Sequence, residues 1–244
     1  MSLERKAVVV VGATGVVGLG IVRKYLDAGA TVIGVSRQEG NLAKLKGTLK
    51  IGAKDAFRGV VGEFKDETSA AAAKSAIMAS AGGPIDHVVT VQGFGPYAKA
   101  PTEAPISGLR ETLDDGFFNN LLAAKALLPG MKGREGSSFT LVSGGLAHIP
   151  PPVISLWFST IKNAAINALN HALAAETAND KVRVNTICIH FPVAPIGGGK
   201  NQFGMDAEGD TLRLAPAFLG VARGAQKGQL LCLNSWADAD SLAR

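Results

Sequence analysis

The chain has 244 residues, 47% of them apolar and 18% charged, with a net charge of +5. That is enough apolar material for a sizeable core in one large or two small domains. Aromatic residues make up 6% and are not interleaved with the dispersed basic ones, which argues against a nucleic-acid surface, and no run approaches the ~18 apolar residues of a membrane span.

The N-terminus runs almost directly into Val8-Val9-Val10-Val11, a buried strand by its unbroken apolar character. Three glycines follow at the spacing GxxGxxG: Gly12, Gly15 and Gly18. An apolar-periodic helix then covers Leu19 to Ala28. Strand, tight turn and helix in that order suit a phosphate ligand. Gly12 permits the turn, Gly15 lets a pyrophosphate approach the backbone, and Gly18 lets helix and strand pack closely. Thr14, Val16 and Val17 complete this expected cofactor turn. With no signal-like leader before the strand, a cytoplasmic location is expected.

Thr31 to Val35 is the second strand, and Ser36-Arg37 close it. An acid at this point would suit the adenosine ribose of NAD(H). A hydroxyl followed by a guanidinium suits a 2′-phosphate, so NADP(H) is favoured over NAD(H). The run of Lys44, Lys46, Lys50, Lys54 and Arg58 reads as a solvated helix face or loop. A third strand is expected over Val60–Phe64, a helix over Lys65–Ser80, and a fourth strand over Ile85–Val91 leading to Gln92, Gly93 and Tyr97.

Leu113, Phe117, Leu121, Ala124 and Leu128 recur at helical spacing, which predicts one helix over Leu109–Met131. The fifth strand is Phe139–Ser143. A second long helix runs from Trp157 to Thr177, and the sixth strand is Val182–Ile189. A Gly-rich stretch from Gly197 to Asp210 is the best lid candidate. A short helix over Leu212–Ala222 precedes the last strand, Gln229–Leu233. Alternation throughout predicts a single α/β domain, a doubly wound parallel sheet of the Rossmann type spanning residues 1–244. Cys188 and Cys232 lie in apolar runs and read as buried free thiols on strands, with neither a disulfide framework nor metal-ligand spacing, so no metal is expected.

Among the histidines, His190 follows the sixth strand and His148 lies on the loop after the fifth. His87 and His171 read as structural. An imidazole that titrates near neutrality suits His190 to acid/base work.

The order of these blocks resembles the short-chain dehydrogenase/reductase family. The glycine turn is similar to an atypical form of its cofactor motif. Glu63-Phe64 matches an acid-plus-apolar pair that contacts adenine. Thr90-Val91-Gln92-Gly93 stands where the family has Asn-Asn-Ala-Gly, Val182-Arg183-Val184-Asn185 matches its sixth strand, and Gly228-Gln229-Leu230-Leu231 its last. The resemblance implies hydride exchange between nicotinamide and a small, largely apolar carbonyl, enone or alcohol. It also implies a homodimer or homotetramer built on the two long helices.

The family's catalytic Tyr and Lys, four residues apart, are not both present. The chain has two tyrosines, Tyr25 and Tyr97, and neither falls in that slot. One register places Ser159 and Asn163 in the pair of positions; slipping by one places Phe158 and Lys162 there. Adjacent helix residues point about 100° apart, so one of Lys162 and Asn163 is expected to face the ribose. Ser143 stands beside the family's Ser slot, and Asn119 or Asn120 near its Asn. Lys162, Ser143, His190 and Tyr97 are the candidate catalytic groups. The departures leave two other readings open: a cofactor-binding sensor or scaffold without catalysis, and a non-redox isomerase or cyclase.

Overall fold

The computed structural model describes residues 2–93, 99–151, 156–201 and 204–244. The strands are β1 (Ala7–Val11), β2 (Thr31–Ser36), β3 (Phe57–Val61), β4 (His87–Thr90), β5 (Ser138–Gly144), β6 (Arg183–Ile189) and β7 (Leu230–Leu233). The helices are α1 (Val16–Asp27), α2 (Glu39–Gly47), α3 (Ile51–Ala56), α4 (Glu67–Ala81), α5 (Ile106–Leu113), α6 (Asn119–Leu127), α7 (Trp157–Glu176), α8 (Thr211–Arg223) and α9 (Trp236–Leu242). Among the described residues the strands form one parallel sheet in the order β3-β2-β1-β4-β5-β6-β7.

The valine run is explained by this architecture. Successive strand residues face opposite sides, and both sides of the sheet are covered. Val8 and Val10 pack with Ile21, Val22 and Tyr25 of α1 and Leu214 and Phe218 of α8. Val9 and Val11 pack on the other face with Ala73 and Ile77 of α4, Leu127 of α6 and Ile166 of α7. Strand order reverses between β1 and β4. That switch point opens a crevice at the carboxyl ends of the strands, where ligands bind in open α/β sheets. The first and last parts of the chain meet beside it. Tyr25 donates to the Phe218 carbonyl at 3.0 Å, and Thr211 Oγ1 donates to the Val17 carbonyl at 3.2 Å.

Several expected boundaries are corrected. β3 begins at Phe57, three residues before the expected start, because Phe57 and Val60 supply its inward side chains and the Phe57 ring lies over Gly34. Gly62 leaves the sheet after one bond to the Ser36 carbonyl. The helix expected over Leu109–Met131 is α5 and α6 joined by a wide π turn at Asp114–Phe118, with a 3-10 turn at Leu128–Met131. α2, α3 and α9 were not individually expected. Cys188 is buried, whereas Cys232, on the edge strand, is partly exposed. His171 is exposed on α7.

His87 opens β4 and is buried, its Nδ1 2.9 Å from Ser138 Oγ. Desolvation lowers its pKa to about 4 from 6.5, against the opposing pull of Asp86. The unfolded chain therefore takes up this proton first. The neutral ring's contribution to stability is whole above pH 6.5 and is lost as the pH falls toward 4. Denaturant titrations should show the parent losing about 2–3 kcal/mol more than His87→Gln between pH 7 and pH ~4.5. Equal losses would remove this account.

Candidate active site

The turn after β1 is built on backbone contact. Gly12 has φ +83°, and a Cβ there would lie 2.0 Å from the Val91 carbonyl oxygen. A Cβ on Gly18 would lie 2.1 Å from the Gly12 carbonyl oxygen. Both glycines are thus required by the approach of β1, α1 and the end of β4. Gly15 differs: a Cβ there meets only the Gly12 oxygen, at 3.5 Å. Gly15 is the N-cap of α1, no side chain caps that helix, and its first turn carries no acid. The amide groups and positive dipole end remain free for an anion.

Two adjoining cavities flank this turn. The larger, about 920 Å³, is walled by Gly12, Thr14, Ser36, Arg37, Glu63 and Gln92 among others. On its wall the Thr14 and Ser36 hydroxyls share a hydrogen bond of 3.1 Å. Arg37 is exposed and reaches Asp115 at 3.5 Å. Phe64 also borders the cavity, although the residue is buried in the core. The smaller cavity, about 370 Å³, contains Gly15, Val16 and Val17 at one end and shares Val91, Gln92 and Gly93 with the larger.

Lys162, Asn163 and Ser159 all line the smaller cavity. Lys162 and Asn163 thus both border the cleft, by different routes. Lys162 is long enough to cross to the β4 end, where Nζ donates to the Gly93 carbonyl at 2.9 Å. Asn163 instead packs at Gly144. Phe158 is fully buried and not among the lining residues. Room for the Lys162 stem comes from Gly116 in the π turn, where a Cβ would lie 2.2 Å from Lys162 Cδ. Gly93, with φ +82°, packs on Gly116 in turn. Burial lowers the Lys162 pKa to about 8.

His190, just after β6, also lines the smaller cavity. Its backbone N–H donates to Leu233, and its buried Nε2 has no hydrogen-bond partner. Burial, then the neighbouring His148, holds its pKa below the usual histidine value. Ser143 is buried and donates to Asn167 Oδ1 at 2.7 Å, with Cys188 Sγ 3.1 Å away. Asn119 borders the larger cavity, while Asn120 is buried and donates to the Gly116 carbonyl. Asn201 and Met205, from the stretch expected as a lid, reach the wall of the smaller cavity. Tyr97 lies outside the described residues.

A family model described as short chain dehydrogenase matches residues 6–197. The chain belongs to the short-chain dehydrogenase family. Dehydrogenase/reductase SDR family member 4 of Bos taurus is 28% identical over 185 residues, 76% of this chain and 65% of that protein. L-fucose dehydrogenase of Rattus norvegicus is 28% identical over 186 residues, 75% of this chain and 64% of that protein. The match thus spans just under two thirds of these relatives' length. In shape, the chain is similar to a 3-ketoacyl-(acyl-carrier-protein) reductase from Brucella melitensis complexed with NADH, at TM-score 0.81 and 21% identity over 95% of this chain and 98% of that one. A dehydrogenase/reductase from Sinorhizobium meliloti 1021 gives 0.81 and 15%, over 95% and 94%.

Short-chain dehydrogenases bind nicotinamide dinucleotides, and the glycine turn of this one fits such a ligand. The space before Gly15 that a Cβ would enter is open, and the α1 amides behind it are uncapped. In this short-chain dehydrogenase no tyrosine stands among the described residues of the smaller cavity. Tyr25 is buried in the core. Sequence reasoning missed Gly116 and Asn167. A glycine interrupting a strong helical pattern was the available signal for the first.

Proposed function

We propose that this chain is an oxidoreductase that prefers NADP(H) and acts on a small, largely apolar carbonyl, enone or alcohol. The observation that carries this reading is that the two cavities meet along Val91–Gly93, with the glycine turn at their junction. The turn from Gly12 through Thr14, Gly15, Val16 and Val17 to Gly18 would hold the pyrophosphate. Glu63 and Phe64 would border adenine, and Gln92, Gly93 and Lys162 the nicotinamide-side ribose. Ser36 and Arg37 would take the 2′-phosphate, which displaces Asp115 from Arg37. A bound nicotinamide dinucleotide supplies or accepts the hydride.

The remaining work is handling the proton. Lys162, with a pKa near 8, holds a proton at Nζ at neutral pH and can give it up at low cost. His190 is held neutral at pH 7, and its unpartnered Nε2 suits it to accept a proton from an alcohol. Ser143, engaged with Asn167, is a positioning group. Ser159 offers a hydroxyl where the family resemblance calls for a phenol. Val142, Leu146, Ile149, Phe191 and Val193 supply apolar walls, in keeping with a small apolar substrate. Phe118 and Ile161 are exposed large apolar residues at the π turn and on α7. They favour a homodimer or homotetramer packed there.

Calorimetric titration with NADPH and NADH tests the cofactor, and loss of reduced-nicotinamide absorbance with a panel of small carbonyls and enones tests the reaction. Binding without turnover across the panel would favour the sensor or non-redox reading, which the lack of a tyrosine among the described residues of the smaller cavity also supports. Arg37→Asp is expected to shift the NADPH-to-NADH affinity ratio by about tenfold or more toward NADH, equal to about 1.4 kcal/mol. An unchanged ratio would remove Arg37 from the phosphate site.

A further inference from the structure

Three neighbouring strands carry a cluster that the dinucleotide reading does not use. His148 follows the turn after β5, His190 comes directly after β6, and Cys232 lies on β7. β6 and β7 are paired with Cys188 opposite Cys232. His190 is held beside β7, its backbone N–H donating to the carbonyl of Leu233, the residue after Cys232. One ring nitrogen of each histidine and Cys232 Sγ lie within 4.8 Å of one another. The two rings are nearly parallel, at 20°, with centroids 5.5 Å apart.

The chemistry of the set is specific. It offers two imidazole nitrogens and one sulfur, and no carboxylate. His190 Nε2 is buried without a partner. His148 Nε2 lies 3.1 Å from Asn167 Nδ2. Nitrogen and sulfur donors suit zinc and similar borderline-soft ions, whereas magnesium and calcium take oxygen. We propose that His148, His190 and Cys232 form a binding site for one divalent cation of the zinc type.

With bonds of about 2.0 Å to nitrogen and 2.3 Å to sulfur, tetrahedral ligand atoms stand about 3.4–3.6 Å apart. The side chains must therefore draw in by roughly 1 Å. Their setting allows this: His148 is on an exposed turn, and Cys232 is on an edge strand. On binding, Cys232 releases its thiol proton to solvent and its thiolate becomes the ligand. Three protein ligands leave a fourth position for water or an anion. His190 also belongs to the wall of the smaller cavity, so an ion bound to its ring removes it from the role of base. The site itself does not depend on that role, since it needs only the three donor atoms.

The test is titration of the purified, metal-free full chain with Co²⁺ alone, followed by thiolate-to-cobalt absorption. One ion per chain with a thiolate band is expected. Cys232→Ser should abolish the band, and His148→Ala and His190→Ala should each weaken binding by about tenfold or more. His171→Ala and Cys188→Ser should keep both band and affinity. A band that survives Cys232→Ser, or no binding by the parent chain, would overturn the site. Alkylation of Cys232 in the parent chain covers the case of a variant that does not fold. Saturating Zn²⁺ should slow it about tenfold or more, and an unchanged rate would equally overturn the site.

Discussion

Gly15→Ala is expected to leave the protein folded and to lose dinucleotide affinity by at least about tenfold, while Gly12→Ala and Gly18→Ala are expected to damage the fold itself. The three glycines sit in one turn but answer to different neighbours. At Gly15 the backbone is extended, φ −75° and ψ 168°, which alanine adopts freely. Its Cβ would meet only the Gly12 oxygen at an ordinary 3.5 Å. Stability should therefore stay within about 0.5 kcal/mol of the parent. That same Cβ would enter the space through which a pyrophosphate reaches the α1 amides. At Gly12 and Gly18 the obstacles are backbone atoms at 2.0 and 2.1 Å, and Gly12 also has φ +83°. Backbone cannot swing aside as a side chain does, so losses of about 3 kcal/mol or more are expected. Calorimetric melting and NADPH titration on the three variants separate the effects. A Gly15→Ala protein that binds NADPH like the parent would remove the phosphate from this turn.

Lys162→Met should lower turnover by about 100-fold and raise stability at neutral pH. The lysine is buried, and desolvation brings its pKa down from 10.5 to about 8. The folded chain thus releases this proton more readily than the unfolded one. Between those two values the unfolded state binds more protons, so stability rises with pH there. Below pH 8 the ammonium is a standing cost to the fold. Methionine keeps most of the stem that lies against Gly116 and removes the charge. The gain should be about 1–2 kcal/mol, after the lost bond to the Gly93 carbonyl is subtracted. A gain in stability with a loss of turnover marks a residue kept for function. Turnover at the parent level would exclude Lys162 from the reaction.

The fold was legible because β1, the glycine turn and α1 occupy one short stretch, and the remaining strands and helices alternate with clear periodicity. The position of β3 was not, because Phe57 owes its place to Gly34 on the neighbouring strand, a pairing that local pattern does not carry. At the site, Lys162 and Asn163 were both found by register. Their joint presence in the cleft was hidden because it depends on the length of the lysine and on a π turn that brings Gly116 beneath it. The His148, His190 and Cys232 cluster was least visible. Its members belong to three separate strand ends, and only the β5-β6-β7 order makes them neighbours. The spacing argument against a metal addressed local motifs and could not reach this one.

The contacts between α1 and α8 have a consequence for biosynthesis. Val17 and Thr211 are 194 positions apart, and Tyr25 and Phe218 are 193. The glycine turn emerges from the ribosome early, but the helix it opens lacks Leu214, Phe218 and the rest of its α8 packing until α8 has been made. During that interval the part of α1 that α8 covers is bare, and contacts of such long sequence separation form slowly. A nascent chain halted before residue 211 should therefore depend on chaperones and have no competent nucleotide site, although every glycine of the turn has already been translated.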